Sequence, residues 1–343
     1  MIAQLKCFIP NIKVYLEKTR LVNPYKENVF RGEECFSGQL RGWQRWTKPS
    51  PELEPDPVLN GLIIKSLESR GDYITGLHET LTDKIVELVE PERLLLVAIL
   101  RAGLYVATGL AKRLELRGYQ VPTVAAGLFH EAGIDQAALE LIKQDYPDRI
   151  PVFIDGWTGR GVVARELKKC VPDSILATLV DPGHHGDLWG TDIDSLIESA
   201  HFTATETLGF SRAYIQDPLQ VWRAYEYPDV FRNESLISAW DKACDCSPIL
   251  ADEYGKGQNT KELLAFLSEL NQTDPSNWKV NINEVVRSLV NRNPQELVVG
   301  TTIEEAEALI PTVTYLADHR KIPVKYVPGI RSDFNCLAAV RLR

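Results

Sequence analysis

Residues 94–114 read LLLVAILRAGLYVATGLAKRL, and residues 150–170 read IPVFIDGWTGRGVVARELKKC. Each is an apolar run, a short corner containing glycine, and a stretch of helical periodicity. Residues 94–100 are apolar at every position, the pattern of a strand covered on both faces of a parallel sheet. Residues 103–116 then carry apolar side chains at helical spacing. Residues 150–154 and 162–169 repeat the order, with Lys168 and Lys169 in the last helical turn, where the helix dipole favours cations. Between the two stretches lie a strand at 121–128 and a helix at 135–146, and a fourth strand follows at 174–180. Strand–helix alternation of this kind predicts an α/β fold, an open parallel sheet flanked by helices with right-handed crossovers.

Outward from this block the pattern changes. Residues 61–90 show apolar spacing of three and four and read as two helices split near Gly71. Residues 1–60 are broken by Gly, Pro and charge (NPYKENVFRGEE, KPSPELEPDP) and read as an irregular N-terminal segment. The main domain is then 61–247. Residues 248–277, with Pro, Gly, Asn and Gln clusters around one helix at 262–270, read as a linker. A compact second α/β unit follows at 278–343: helix 281–291, strand 296–300, helix 304–319 and strand 323–327.

Length and charge bound the function. The 343 residues suit about two domains. The longest apolar run is seven residues, whereas a membrane span takes about 20, so no membrane association is expected. The N-terminus has no long apolar segment of a signal peptide, and six cysteines are too sparse for a disulfide scaffold. A cytoplasmic protein with reduced thiols is expected. Net charge is −9, distributed as +2 over 276–343 and −11 over the rest. An acidic body of this kind binds a polyphosphate through backbone donors, a metal and a few placed cations rather than a basic surface. The mildly basic C-terminal unit permits RNA binding.

The two corners are candidate anion sites. Arg101-Ala102-Gly103 opens a helix, where unpaired N–H groups and the dipole attract negative charge. Asp155-Gly156-Trp157-Thr158-Gly159-Arg160-Gly161 places three glycines in seven residues, and successive N–H groups there can form a nest. Neither is a Walker A loop or a GxGxxG turn. Tight strand–helix turns without a ligand remain the plain reading of both.

These residues carry a resemblance. LVAILRAGL resembles the pyrophosphate loop of uracil-type phosphoribosyltransferases, and FIDGWTGRG stands where that family binds phosphoribosyl pyrophosphate (PRPP). VFIDGWTGRGVVARELK more closely resembles phosphoribosyltransferase-like proteins of bacterial tellurium-resistance and stress-response operons, some of which carry the label cysteine protease StiP. The similarity continues through GIDQAAL, LVDPGHHGDL, ATETLGFSR and VFRNESLISAWDKA, over residues 35–247. The resemblance implies a type I phosphoribosyltransferase-like core. PRPP would bind as its Mg²⁺ complex, with pyrophosphate on Arg101, Ala102 and Gly103. The 5′-phosphate would lie on Thr158, Gly159, Arg160 and Gly161. Asp155, followed by Gly156 and Trp157, would meet the ribose and the Mg²⁺, and Asp155 and Arg101 would be the catalytic residues. Two departures stand out: Gly156 replaces the family's second acid, and Phe129-His130-Glu131 replaces an Arg-rich stretch.

Asp181, His184, His185 and Thr205 follow the same family pattern and are expected to contact the acceptor. Asn283-Glu284-Val285-Val286-Arg287 resembles the Asn-Glu-x-x-Lys stretch of kink-turn-binding ribosomal proteins and the Pelota C-terminal domain. That implies a small Pelota-like α/β/α domain binding RNA through Asn283, Glu284 and Arg287. Cys244-x-Cys246 lacks a second pair and predicts no zinc site. Cys35, in ECFSGQ, is the one cysteine in a motif-like setting, and no peptidase signature surrounds Cys35, His78 or His130. The leading expectation is therefore a PRPP-dependent transferase acting on a base-like acceptor, coupled to RNA binding in a stress response. PRPP or a related phosphorylated nucleotide, structured RNA and a second copy of the chain are the expected partners. The alternative is a catalytically idle nucleotide- or RNA-binding regulator, and a cysteine peptidase ranks below both.

Overall fold

The computed structural model describes residues 5–32 and 40–342. In chain order, β1 (Lys13–Val14) and β2 (Glu17–Leu21) precede the long helix α1 (Pro57–Leu88). The central block runs β3 (Leu94–Leu100), α2 (Ala102–Leu116), β4 (Thr123–Phe129), β5 (Gly133–Ile134), α3 (Gln136–Asp145), β6 (Ile150–Trp157), α4 (Val162–Cys170), β7 (Ile175–Val180) and β8 (Leu188–Thr191). After α5 (Ala204–Thr207), β9 (Arg223–Glu226) and α6 (Glu234–Ala243) comes α7 (Thr260–Asn271). The chain closes with β10 (Trp278–Val280), α8 (Ile282–Asn291), β11 (Glu296–Val299), α9 (Ile303–Leu309), α10 (Pro311–His319), β12 (Val324–Tyr326), α11 (Gly329–Phe334) and β13 (Ala338–Arg341).

The main sheet has the order β1-β4-β3-β6-β7-β8, all parallel, with β5 folded back antiparallel on β4. Along β3, Leu94, Leu96 and Ala98 face the core beneath α1 and α2, with Ile74, Leu77, Leu81 and Leu104. Leu95, Val97 and Ile99 face the other way, onto Ala138 and Ile142 of α3 and Ala164 and Leu167 of α4. Burial on both faces is why the strand carries no polar alternation. β3 pairs with β4 from Leu96↔Thr123 to Leu100↔Gly127, and with β6 from Leu94↔Ile150 to Ala98↔Ile154. This register brings the carboxyl ends of the three strands to one edge.

Two readings of the flanks change. The segment read as irregular supplies β1 to the free edge of β4 and β2 to a parallel pair with β9. The helices read as split near Gly71 are one helix, capped by the Asp56 carboxylate on the Val58 and Leu59 N–H groups. Gly71 does not break it. A Cβ at that position would lie 2.6 Å from Cys246 Sγ and 3.2 Å from Ala243 Cα, so the glycine lets α6 approach α1.

The C-terminal unit is a four-stranded sheet of order β10-β13-β11-β12. Leu263, Leu264 and Leu267 of α7, from the stretch read as a linker, pack with Trp278, Val280 and Val298 on one face. On the other face Val285, Val286 and Leu289 of α8 join the main core. Buried polar groups bind the seam. Asp194 accepts the Ile282 N–H at 2.9 Å and the Leu337 N–H at 2.7 Å. Asn283 accepts the Ile197 N–H at 2.7 Å and donates to Ser195 O at 2.8 Å. Asn281 donates to Thr158 O at 3.2 Å, which fixes the start of α8 against the loop after β6. Among the described residues no helix is long and apolar enough to cross a membrane.

Candidate functional site

The carboxyl edge of β3, β4 and β6 opens into a cleft with two lobes. The first, about 710 Å³, is reached by His130, Asp155, Trp157 and Arg101. The second, about 480 Å³, shares Arg101, Ala102 and Trp157 and extends to Arg31 and Arg287. This is where open α/β sheets bind ligands.

Both predicted anion corners reach the cleft, but the chain itself fills them. Gly103 stands against β6: a Cβ there would lie 2.0 Å from Ile154 O, so the glycine serves helix–strand packing. The Arg101 guanidinium is paired with Glu52 at 2.5 Å, and Tyr227 donates to the same carboxylate. In the second corner the Thr158 hydroxyl donates to Asp181, and the Thr158 N–H to Val180 O. Glu284 of α8 lies over the turn, with its Cγ 2.7 Å from where a Gly159 Cβ would be. It accepts the Trp157 indole N–H at 3.2 Å. Arg160 donates to Ser276 O. Gly161 holds φ at 66°, and a Cβ there would meet the His185 ring at 2.7 Å. A carboxylate therefore occupies the position where a phosphate was expected. Asp155 is buried, accepts the Gly156 N–H at 2.8 Å, and is pushed up to about 7 by burial, with Glu284 adding to the rise. Among the described residues no group of three or more His, Cys, Asp or Glu is arranged to hold a metal ion.

The other predicted positions lie elsewhere. Asp181 is buried between the Thr158 hydroxyl and the Gly186 N–H. His184 bonds Asp192 at 2.8 Å and stacks on Trp189 at 4.4 Å. His185 packs on Gly161 and Gly183, and burial lowers its imidazole pKa. Thr205 is buried beneath the Tyr25 hydroxyl. None of the four lines either lobe. Asn283 is engaged in the seam, and Arg287 donates to Ala200 O and Phe202 O at 3.1 Å each, facing the second lobe.

Of the six histidines, His130 alone reaches the cleft. It follows β4 directly, is half exposed, and its Nδ1 lies 2.9 Å from Glu166 Oε1 on α4. Although burial opposes ionisation there, hydrogen bonds from His130, the Glu131 backbone and Lys169 hold Glu166 below the usual carboxylate range. A carboxylate on Nδ1 fixes the ring, as an orienting group does for a general base, and Nε2 lies 3.9 Å from Glu131 Oε1. The Gly42–Trp46 turn is clamped to the same place. The Gly42 N–H donates to Glu131 at 2.9 Å, Arg45 pairs with Glu131 at 3.2 Å, and the Trp46 indole donates to His130 O at 2.8 Å. The sequence signal for His130 was its position one residue past a buried strand on the ligand edge. Its partner, 36 residues away, leaves no local pattern.

The described cysteines are poor nucleophiles by setting. Burial pushes the Cys7 thiol up to about 11 and raises those of Cys244 and Cys336. Cys246, just past the end of α6, donates to Lys242 O of that helix. Cys170 is exposed at the C-terminus of α4, the end at which the dipole disfavours a thiolate. Cys35 lies outside the described residues.

A family model described as tellurite-like stress resistance cysteine protease StiP matches residues 44–230. A protein of Acinetobacter baylyi (strain ATCC 33305 / BD413 / ADP1) named cysteine protease StiP is 34% identical over 85 residues, 25% of this chain and 22% of that protein. The aligned stretch thus reaches less than a quarter of that relative. Both carry the name of a cysteine protease, which corrects the transferase expectation. The physical reason is visible in the cleft, where Glu284 and Glu52 stand at the two corners meant for phosphate.

Proposed function

The chain belongs to the StiP family, and from that premise and the cleft geometry we propose that it is a thiol-dependent peptidase using His130 as base and Glu166 as its orienting acid. The observation that carries the reading is the His130–Glu166 pair, at 2.9 Å, opening into the first lobe. Cys35 is the proposed nucleophile. It comes three residues after Gly32, which lines the second lobe, and seven before Gly42, which is bonded to Glu131. One flank thus lines the second lobe, and the other is bonded to the residue after His130. Cys170 is the one cysteine within the matched span, and its place at a helix C-terminus argues against it.

In this reading His130 takes the Cys35 proton as sulfur attacks the peptide carbonyl carbon. The C–N bond breaks, the amine leaves with that proton, and a thioester remains. Water, deprotonated by His130, then releases the acid and restores the thiol. The sheet edge resembles that of a phosphoribosyltransferase in scaffold, and that scaffold supplies the rigid ledge.

Iodoacetamide labelling mapped by mass spectrometry at pH 6.5 tests this. Cys35 should react at least about tenfold faster than exposed Cys170, because an imidazolium partner populates the thiolate. His130→Ala should remove that advantage. Equal rates at the two cysteines, or a Cys35 rate indifferent to His130→Ala, would overturn the assignment.

A further inference from the structure

The second lobe is cationic in an otherwise acidic protein. Arg31, Arg101, Lys279, Arg287, Arg292 and Arg320 line it, and among the described residues Glu284 is the one lining carboxylate. The charge is not evenly answered. Arg101 is matched by Glu52 at 2.5 Å. Arg287 has two carbonyl partners, both on one nitrogen, and no carboxylate of the described residues is paired with it. Arg31 Nε is buried without a hydrogen-bond partner among the described residues. Burial, followed by the nearby Arg101 charge, pushes Arg287 down to about 10 against the opposing pull of Glu52 and Glu284, so it remains a cation at neutral pH, compensated only in part. A part-buried guanidinium in that state favours an anion that can enter its pocket.

Shape narrows the anion. The walls beside Arg287 include Leu53, Phe202 and Leu208, which suit the methylenes of one side chain. Glu284 lines both lobes and repels a chain of phosphates more strongly than a single carboxylate, which carries one charge. The two lobes adjoin at Arg101, Ala102 and Trp157, which line both, with His130 on the first and Arg287 on the second.

We infer that the second lobe is a specificity pocket in which Arg287 receives the carboxylate of an acidic peptide side chain, near a scissile bond held at His130. This rests on the peptidase reading for its consequence, but binding can be measured without cleavage. In a Cys35→Ser background, fluorescence anisotropy would compare a labelled decapeptide of alternating Glu and Ala, its Gln counterpart, and a decauridylate. The Glu peptide should bind at least about tenfold more tightly than the Gln peptide, the scale of one charge-assisted contact. Arg287→Met should abolish the difference, and Arg287→Lys should keep part of it. Equal binding of Glu and Gln peptides by the Cys35→Ser protein overturns the inference whether or not the Arg287 variants fold. Tighter binding of decauridylate also overturns it, in favour of a nucleic-acid surface. Glu selectivity without enhanced Cys35 alkylation would sink the peptidase reading and leave the pocket standing. Enhanced alkylation without Glu selectivity would do the reverse.

Discussion

At the seam between the two sheets, Asp194 is buried with its two oxygens taken by backbone N–H groups, and Asn283 gives and receives one bond on each side of its amide. Asn335 donates to Asp192 O at 2.6 Å and accepts the Asp194 N–H. A few residues along α8, in the cleft, Arg287 has carbonyls in place of a carboxylate, and Asp155 and Glu284 face one another as like charges. The same helix serves both clusters. Where polar groups are fully met, they hold two units in one register. Where they are incompletely met, the deficit is a capacity for ligand; proton affinity does not separate the two clusters, since burial raises Asp194 and Asp155 alike to about 7.

The sharpest way to break this contrast is at the seam. Asn283→Ala would leave the Ile197 N–H and the Ser195 carbonyl buried and unpaired, at a cost of about 3 kcal/mol. Urea unfolding would measure it. A loss below about 1 kcal/mol would mean that the seam network is as loosely satisfied as the cleft.

The contrast also explains what could be read from the chain alone. The parallel strands were legible because burial on both faces writes an unbroken apolar run such as residues 94–100. Gly71 was read as a helix break, and Gly103 and Gly159 as room for an anion, from one kind of signal. A glycine announces empty space beside the backbone but not what fills it. At Gly71 it is α6, at Gly103 it is β6, and at Gly159 it is a glutamate more than a hundred residues away. Asn283 and Arg287 were read as part of an RNA-binding motif by resemblance, and the pattern of α8 shows only which residues are apolar. Both polar side chains turn toward the other unit. The edge of the sheet on which a site would sit was predictable. The pairing of His130 with Glu166, set by how α4 packs beside the end of β4, was not.

A second break in the contrast concerns proton affinity in the cleft. Asp155 is pushed up to about 7 from the usual value near 3.8, chiefly by burial. The folded protein therefore holds this proton more tightly than the unfolded chain. Stability falls as pH rises from about 4 to about 7 and is level above that. Asp155→Asn should remove the Asp155 share of this slope, gaining about 4 kcal/mol over wild type at pH 8 and little at pH 4, while Asp194 and Asp135, which burial raises to about 7 and about 6, keep theirs. Parallel stability curves for the two proteins across that range would mean that burial does not raise Asp155 in the folded protein.

The smallest effect expected isolates the like-charge term. Glu284 is about a third exposed (32%), so removing its charge should change overall stability by less than about 0.5 kcal/mol. Glu284→Gln keeps an acceptor for the Trp157 indole and removes the negative charge beside Asp155. Followed by ¹³C NMR of the Asp carboxyl groups, the Asp155 midpoint should fall below about 7, yet stay above that of an exposed aspartate because burial is the larger cause. A midpoint that does not move would mean that burial alone accounts for Asp155. The two carboxylates would then be neighbours without coupling, and Glu284 would matter to the cleft only as the group that turns a second anion away.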